Sequence, residues 1–269
     1  MREPSGERFD ALVRIMERLR ADGGCPWDRE QTRQSLKPFL IEEAYEVVEA
    51  IDEGDTEQLL EELGDLLFQV VFHAQVAAER GEFTIGQVLA ATADKMVRRH
   101  PHVFSDGTAS TAGEVLEQWE KLKREERDAV AAVPGSALDG VPKELPALLR
   151  AQRLQDKASR AGFDWPEISG VIAKVQEELD ELNAAMQAAA PNEIELELGD
   201  LLFSLVNMAR FLNLSAEDAL RKSIGRFSAR FRYMEQTIER GGRRLKEASP
   251  EEMNSLWEEA KASGRLPPA

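Results

Sequence analysis

The chain has 269 residues, 50 of them Asp or Glu against 34 Lys or Arg, for a formal net charge of −16. Such an acid excess repels phosphate backbones and argues against extended DNA or RNA as a partner, while leaving a single nucleotide open if a divalent cation stands between carboxylates and phosphates. The one cysteine, Cys25, excludes an internal disulfide framework, and no apolar run approaches about 18 residues, so neither membrane insertion nor secretion is expected and the cytoplasm is the expected location.

Apolar periodicity predicts a first helix over 7–21, with Phe9, Leu12, Val13, Met16 and Leu19 on one side. Gly23, Gly24 and Pro26 break it. A second helix over about 38–53 stops at Gly54. Asp55 or Thr56 caps a third, which runs to about Arg80 and ends at Gly81. Thr84 starts a fourth, closed by Pro101, and Thr111-x-x-Glu114 is a capping box that opens a charged helix through Ala131. Pro134, Gly135, Gly140 and Pro142 mark a linker at 133–143, which separates a module of 1–132 from one of 144–269. Helices at about 144–161, 167–188, 192–212, 216–240 and 250–262 follow, with Ser215-x-x-Asp218 and Ser249-Pro250-x-Glu252 as start signals. Nothing reads as a strand. The expected fold class is all-α.

Glu62-Leu63-Gly64-Asp65-Leu66-Leu67-Phe68 recurs unchanged as Glu197-Leu198-Gly199-Asp200-Leu201-Leu202-Phe203, an offset of 135. At the same offset Glu42, Glu43 and Glu46 meet Glu177, Glu178 and Glu181. The chain is therefore a duplication of one helical module. Later landmarks repeat with small shifts: Lys95 and Arg99 pair with Arg226 and Arg230, and Trp119-x-x-x-Lys123 with Trp257-x-x-x-Lys261. The copies also differ. Glu49, Glu53 and Glu61 face Ala184, Ala188 and Leu196, so other acids change while the motif acids stay.

After Gly64, the residues Leu66, Leu67, Phe68, Val70, Val71 and Phe72 cover nearly all directions around the axis, as in a helix buried on every side. The polar strip left is Glu62, Asp65, Gln69 and His73, and the second copy keeps such a strip with Glu197, Asp200, Ser204 and Asn207. A short connection makes the preceding helix its antiparallel neighbour, so five acids of each copy are expected to converge. Two unit charges about 5 Å apart repel by roughly 3 kcal/mol at an effective dielectric of about 20. Such a crowd needs a counter-ion, and all-oxygen ligation selects Mg²⁺ or Mn²⁺ over zinc or copper.

The pattern EExxE, a fifteen-residue gap and ExxD, present twice, resembles the MazG family of nucleoside triphosphate pyrophosphohydrolases over nearly the whole chain. Gly24-Cys25-Pro26-Trp27-Asp28 and Arg98-Arg99-His100-Pro101-His102-Val103-Phe104 are similar to that family's two-domain members. The resemblance implies an all-α fold whose bundle is completed by homodimerisation, and Mg²⁺-dependent cleavage of nucleoside triphosphates to monophosphate and pyrophosphate. Carried onto this sequence, it implies that Glu178, Glu181, Glu197 and Asp200 hold Mg²⁺, with Glu177 as a further ligand or as the base for water. Glu42, Glu43, Glu46, Glu62 and Asp65 stand in the matching places of the first copy. Arg226 and Arg230 are expected to neutralise phosphate oxygens, with Lys174 and Lys261 as further candidates, and Trp257 to stack on the base. Lys174 falls opposite Phe39, and Pro38 is expected to interrupt that turn, so 144–269 is the favoured catalytic module.

Two other readings fit the same residues: a non-catalytic helical dimer regulating a protein partner, and a pyrophosphatase of the same architecture restricted to dUTP or to a histidine-pathway nucleotide. The three histidines are too few and wrongly spaced for a di-iron bundle, which needs Glu-x-x-His on two helices. No Gly-x-x-x-x-Gly-Lys-Ser/Thr loop is present, which removes a P-loop ATPase. Cys25 is read as a packing residue.

Overall fold

A computed structural model describes residues 5–128 and 135–262. Every regular element among them is helical. The chain divides into two compact units, Met1–Glu125 and Glu126–Ala269. Of the expected linker at 133–143, Pro134 lies outside the described residues, as does the expected helix end at Ala131; Gly140, at φ +85°, turns the chain in the left-handed region.

The first unit runs α1 (Ser5–Arg20), α2 (Pro26–Glu30), α3 (Lys37–Glu53), α4 (Thr56–Glu79), α5 (Ile85–Arg99), α6 (Pro101–Phe104) and α7 (Ala112–Asp128). Gly54 ends α3 in the left-handed conformation, and Asp55 caps α4 by accepting from the N–H groups of Glu57 and Gln58. Thr84 and Gln87 form a reciprocal capping box on α5. Pro38 does not interrupt a turn, as the sequence suggested. It lies in the first turn of α3, where a missing N–H costs nothing. The core packs Met16, Leu36, Val71, Phe72 and Val76, with Phe9, Leu12, Phe39 and Phe68 against it. Each of these large side chains contributes about 1.5–3 kcal/mol by leaving water.

The second unit runs α8 (Ala147–Arg160), α9 (Ile168–Gln187), α10 (Pro191–Phe211), α11 (Ala216–Arg240) and α12 (Pro250–Ala262). Ser215 caps α11 by accepting from the Asp218 N–H. A separate core of Met234, Ile238 and Ala248, backed by Phe231, Met253 and Leu256, joins α11 to α12. In each unit the central hairpin, α3–α4 or α9–α10, is the antiparallel pair that carries the repeated acids.

The expectation of a central helix buried on every side is corrected. Leu63, Leu67 and Val70 of α4 are exposed, and so are Leu198, Leu202 and Leu205 of α10 at the same registers. Periodicity records that a face is apolar, not that its cover comes from the same chain. No described helix is long and apolar enough to cross a membrane.

Candidate active site

The acids meet because α9 and α10 run antiparallel and each turns its polar strip toward the other. Glu178 is only 5% exposed. One carboxylate oxygen each from Glu178, Glu197 and Asp200 lie within 4.8 Å of one another, and Glu43, Glu62 and Asp65 repeat the arrangement in the first unit. Thus three of the five expected acids gather in each copy. Glu181 and Glu46 stand near enough to be felt: partial burial, then Glu181, Glu178 and Asp200, push Glu197 above the ordinary glutamate range. Glu62 is pushed up by burial, then by Glu46 and Asp65; Glu46 by burial, then by Glu43 and Glu42. Glu177 and Glu42 are exposed and lie outside the three-oxygen groups. The donors are all oxygen and partly protected from water, which fits a hard divalent cation.

Lys174 sits one turn before Glu178, with Nζ 2.8 Å from an oxygen of Glu177 and 2.8 Å from one of Glu178. Hydrogen bonds to Glu177, then Glu178, hold its ammonium above the usual lysine range. The lysine therefore serves as counter-ion to a buried carboxylate. Unlike Phe39, its counterpart, it has no place in an apolar core.

A cavity of about 780 Å³ opens beside these groups, lined by Lys174, Glu178 and Asp200 together with Phe163, Trp165, Phe203, Gln155, Asn207 and Arg210. Ala158 and Leu154 come from α8. The turn from α8 to α9 is braced by Asp164: Arg210 of α10 reaches it in a bidentate pair, one bond being 3.0 Å, and the Ser159 hydroxyl and Trp165 N–H add bonds of 2.6 and 2.9 Å. Against burial, which would raise it, these bonds hold Asp164 below the ordinary aspartate range. A Cβ added at Gly170 would lie 2.6 Å from Cε3 of Trp165, so the indole rests on the first turn of α9 where only glycine leaves room. In the first unit the register of Asn207 holds Phe72, 1% exposed, and that of Lys174 holds Phe39, both part of the packed core.

The basic and aromatic candidates farther along do not line this cavity. Arg226 is exposed on α11. Trp257 packs 5.3 Å from Phe227, with the Arg230 guanidinium 5.7 Å over its ring, and Lys261 pairs with Glu258 at 3.3 Å. Sequence reasoning missed Gln155, Phe163, Asp164, Trp165 and Arg210. A signal for the turn existed: Gly24-Cys25-Pro26-Trp27 and Gly162-Phe163-Asp164-Trp165 both place tryptophan three residues after the glycine that follows a helix.

The profile of the MazG nucleotide pyrophosphohydrolase domain matches residues 31–104 and again 167–233. The chain is 49% identical to a Thermotoga maritima protein described as nucleoside triphosphate pyrophosphohydrolase/pyrophosphatase MazG, over 96% of this chain and 97% of that one. It is 46% identical to the nucleoside triphosphate pyrophosphohydrolase of Escherichia coli K12, over 94% of this chain and 97% of that one. Bacillus subtilis YabN, an uncharacterized protein, is also 46% identical, over 96% of this chain and 52% of its own length.

Proposed function

The chain belongs to the MazG family of nucleotide pyrophosphohydrolases, and on that premise we propose that it hydrolyses a broad range of nucleoside triphosphates to monophosphate and pyrophosphate with Mg²⁺, as a homodimer in the reducing cytoplasm. Its relatives' activity supports an enzyme acting on the triphosphate anhydride bond. The modules are taken as 1–132 and 144–269, joined at 133–143, with the second as the main catalytic one. One observation carries that choice. The carboxylate group of the second unit adjoins an open cavity, whereas the registers of Asn207 and Lys174 hold in the first unit the buried Phe72 and the partly buried Phe39 packed against its core.

In this proposal Glu178, Glu197 and Asp200, with Glu181 beside them, hold Mg²⁺; Mn²⁺ suits the same oxygens. The bound cation supplies charge neutralisation on the triphosphate and at the α-phosphorus. Glu177 or Glu181, outside the three-oxygen group, takes the proton of the attacking water. The bond from the α-phosphorus to the α–β bridging oxygen breaks and pyrophosphate leaves. Lys174 orients Glu178 and stands ready for a phosphate oxygen, and Arg226 and Lys261 are retained as phosphate contacts presented on α11 and α12. Arg230 and Trp257 pack together, and the base-stacking role expected of Trp257 passes to the cavity wall.

The test is direct. Each common NTP is incubated with the protein with and without Mg²⁺, and NMP and pyrophosphate are quantified. Glu178→Ala is expected to lower turnover at least about a hundredfold and Glu43→Ala by much less. Full turnover surviving Glu178→Ala would refute the assignment to the second module.

A further inference from the structure

We propose that the cavity of the second unit seats the nucleobase and that Gln155 is its specificity-determining acceptor, taking an N–H from the base; this rests on the triphosphate reading above. Gln155 belongs to α8 and precedes the stretch 167–233 matched in this unit. It is 8% exposed, and its Nε2 donates to the Phe203 carbonyl at 2.8 Å. A carbonyl can only accept, so this bond fixes which end of the amide faces α10 and which is left over. The remaining atom, Oε1, is buried without a hydrogen-bond partner in a residue that lines the cavity. Buried acceptors are nearly always satisfied, and an orphan in a cavity wall calls for a donor from whatever fills the cavity.

The surroundings specify a flat, polar-edged occupant. Trp165 and Phe203 contribute aromatic surface to its wall. Asn207 presents a second oriented amide: Arg210 Nε donates to its Oδ1 at 3.0 Å, and because an arginine cannot accept, the Nδ2 end is the one turned away from Arg210. Arg210 is itself anchored on Asp164. The volume, about 780 Å³, falls in the ordinary range for small-molecule sites. Since Glu178 and Asp200 line the same cavity, one molecule can place its base there and its phosphates against the carboxylates. Adenine, guanine, cytosine and uracil each carry an N–H on the pairing edge, so a single acceptor serves all four and rejects a base that has none.

The experiment deletes that N–H from the substrate. Wild-type enzyme is given ATP and purine riboside 5′-triphosphate, which lacks the exocyclic amine, and UTP and 3-methyluridine 5′-triphosphate, which lacks the ring N–H. The expected result is a loss in kcat/KM of at least about tenfold for each deleted analogue. In Gln155→Leu and in Gln155→Met the discrimination between ATP and purine riboside triphosphate is expected to shrink to about twofold or less. Equal wild-type turnover of both members of each pair would overturn the assignment of Gln155, as would undiminished discrimination in a folded variant. The wild-type comparison needs no substitution and so stands even where a variant fails to fold. Release of no pyrophosphate from any of the four nucleotides would instead remove the hydrolase reading on which the inference rests.

Discussion

His73 and the cluster glutamates titrate with opposite consequences. Burial, then the charge of Arg33, pushes the His73 imidazole below the ordinary histidine range, and its Nε2 is buried without a partner. A histidine depressed in the fold keeps its contribution above the unfolded value of about 6.5 and loses it as pH falls from there through the depressed folded value. Because the residue is only partly buried, the expected fall in Tm between about pH 7.5 and 5.5 is only about 1–2 °C. His73→Leu should flatten that slope, and an unchanged slope would remove His73 as its source. Glu46, Glu62 and Glu197 are raised in the fold, so their own contribution to the metal-free protein is fully present below the ordinary glutamate value and is lost as pH rises through the raised ones. A fixed Mg²⁺ concentration should therefore stabilise more at pH 7 than at pH 5. At neutral pH and about a hundred times Kd, the rise should be about 5 °C or more. Thermal melts showing equal rises at both pH values would mean that these carboxylates are not the ligands.

Within the second unit, α9 and its preceding turn do the positioning. Gly170→Ala forces the Trp165 ring off the helix, since the new Cβ would meet it at 2.6 Å; a cost of about 1–3 kcal/mol is expected, read as a lowered midpoint in urea. A midpoint equal to wild type would show that the indole moves freely. Most helix boundaries were legible because they rest on local chemistry: Asp55 at the start of α4, Thr84 with Gln87 on α5, Ser215 on α11. The acids were legible because the duplication repeats them, and the pairings of α3 with α4 and of α9 with α10 bring three of each five together. The cavity was not. Its wall joins Gln155 of α8, Trp165 of a turn and Asn207 of α10, residues far apart in sequence that only tertiary packing unites. The five-residue α2 also escaped, being too short for a periodic signal.

Across the whole molecule, the same helix face is left uncovered twice. Leu198, Leu202 and Leu205 on α10 match Leu63, Leu67 and Val70 on α4, and Leu220, Ile224 and Phe227 extend the exposed apolar surface along α11. Gly64 and Gly199 lie on these helices about a quarter-turn to one side of the stripe, and neither would meet anything within 4 Å if a Cβ were added. A glycine inside a helix costs about 0.5–1 kcal/mol relative to alanine, so a single chain has no reason to keep one there, whereas a second helix approaching closely would. Apolar stripes of this extent are normally covered in soluble proteins. The protein is accordingly expected to sediment as a dimer of its 30.1 kDa chain at micromolar concentration. Gly199→Leu adds bulk at the margin of the proposed contact, where a Cβ meets nothing within 4 Å in its own chain, and should shift the species toward monomer while leaving far-ultraviolet circular dichroism unchanged. A wild-type chain that sediments as a monomer would leave the uncovered stripes to another partner. A dimer indifferent to Gly199→Leu would move the contact away from α10.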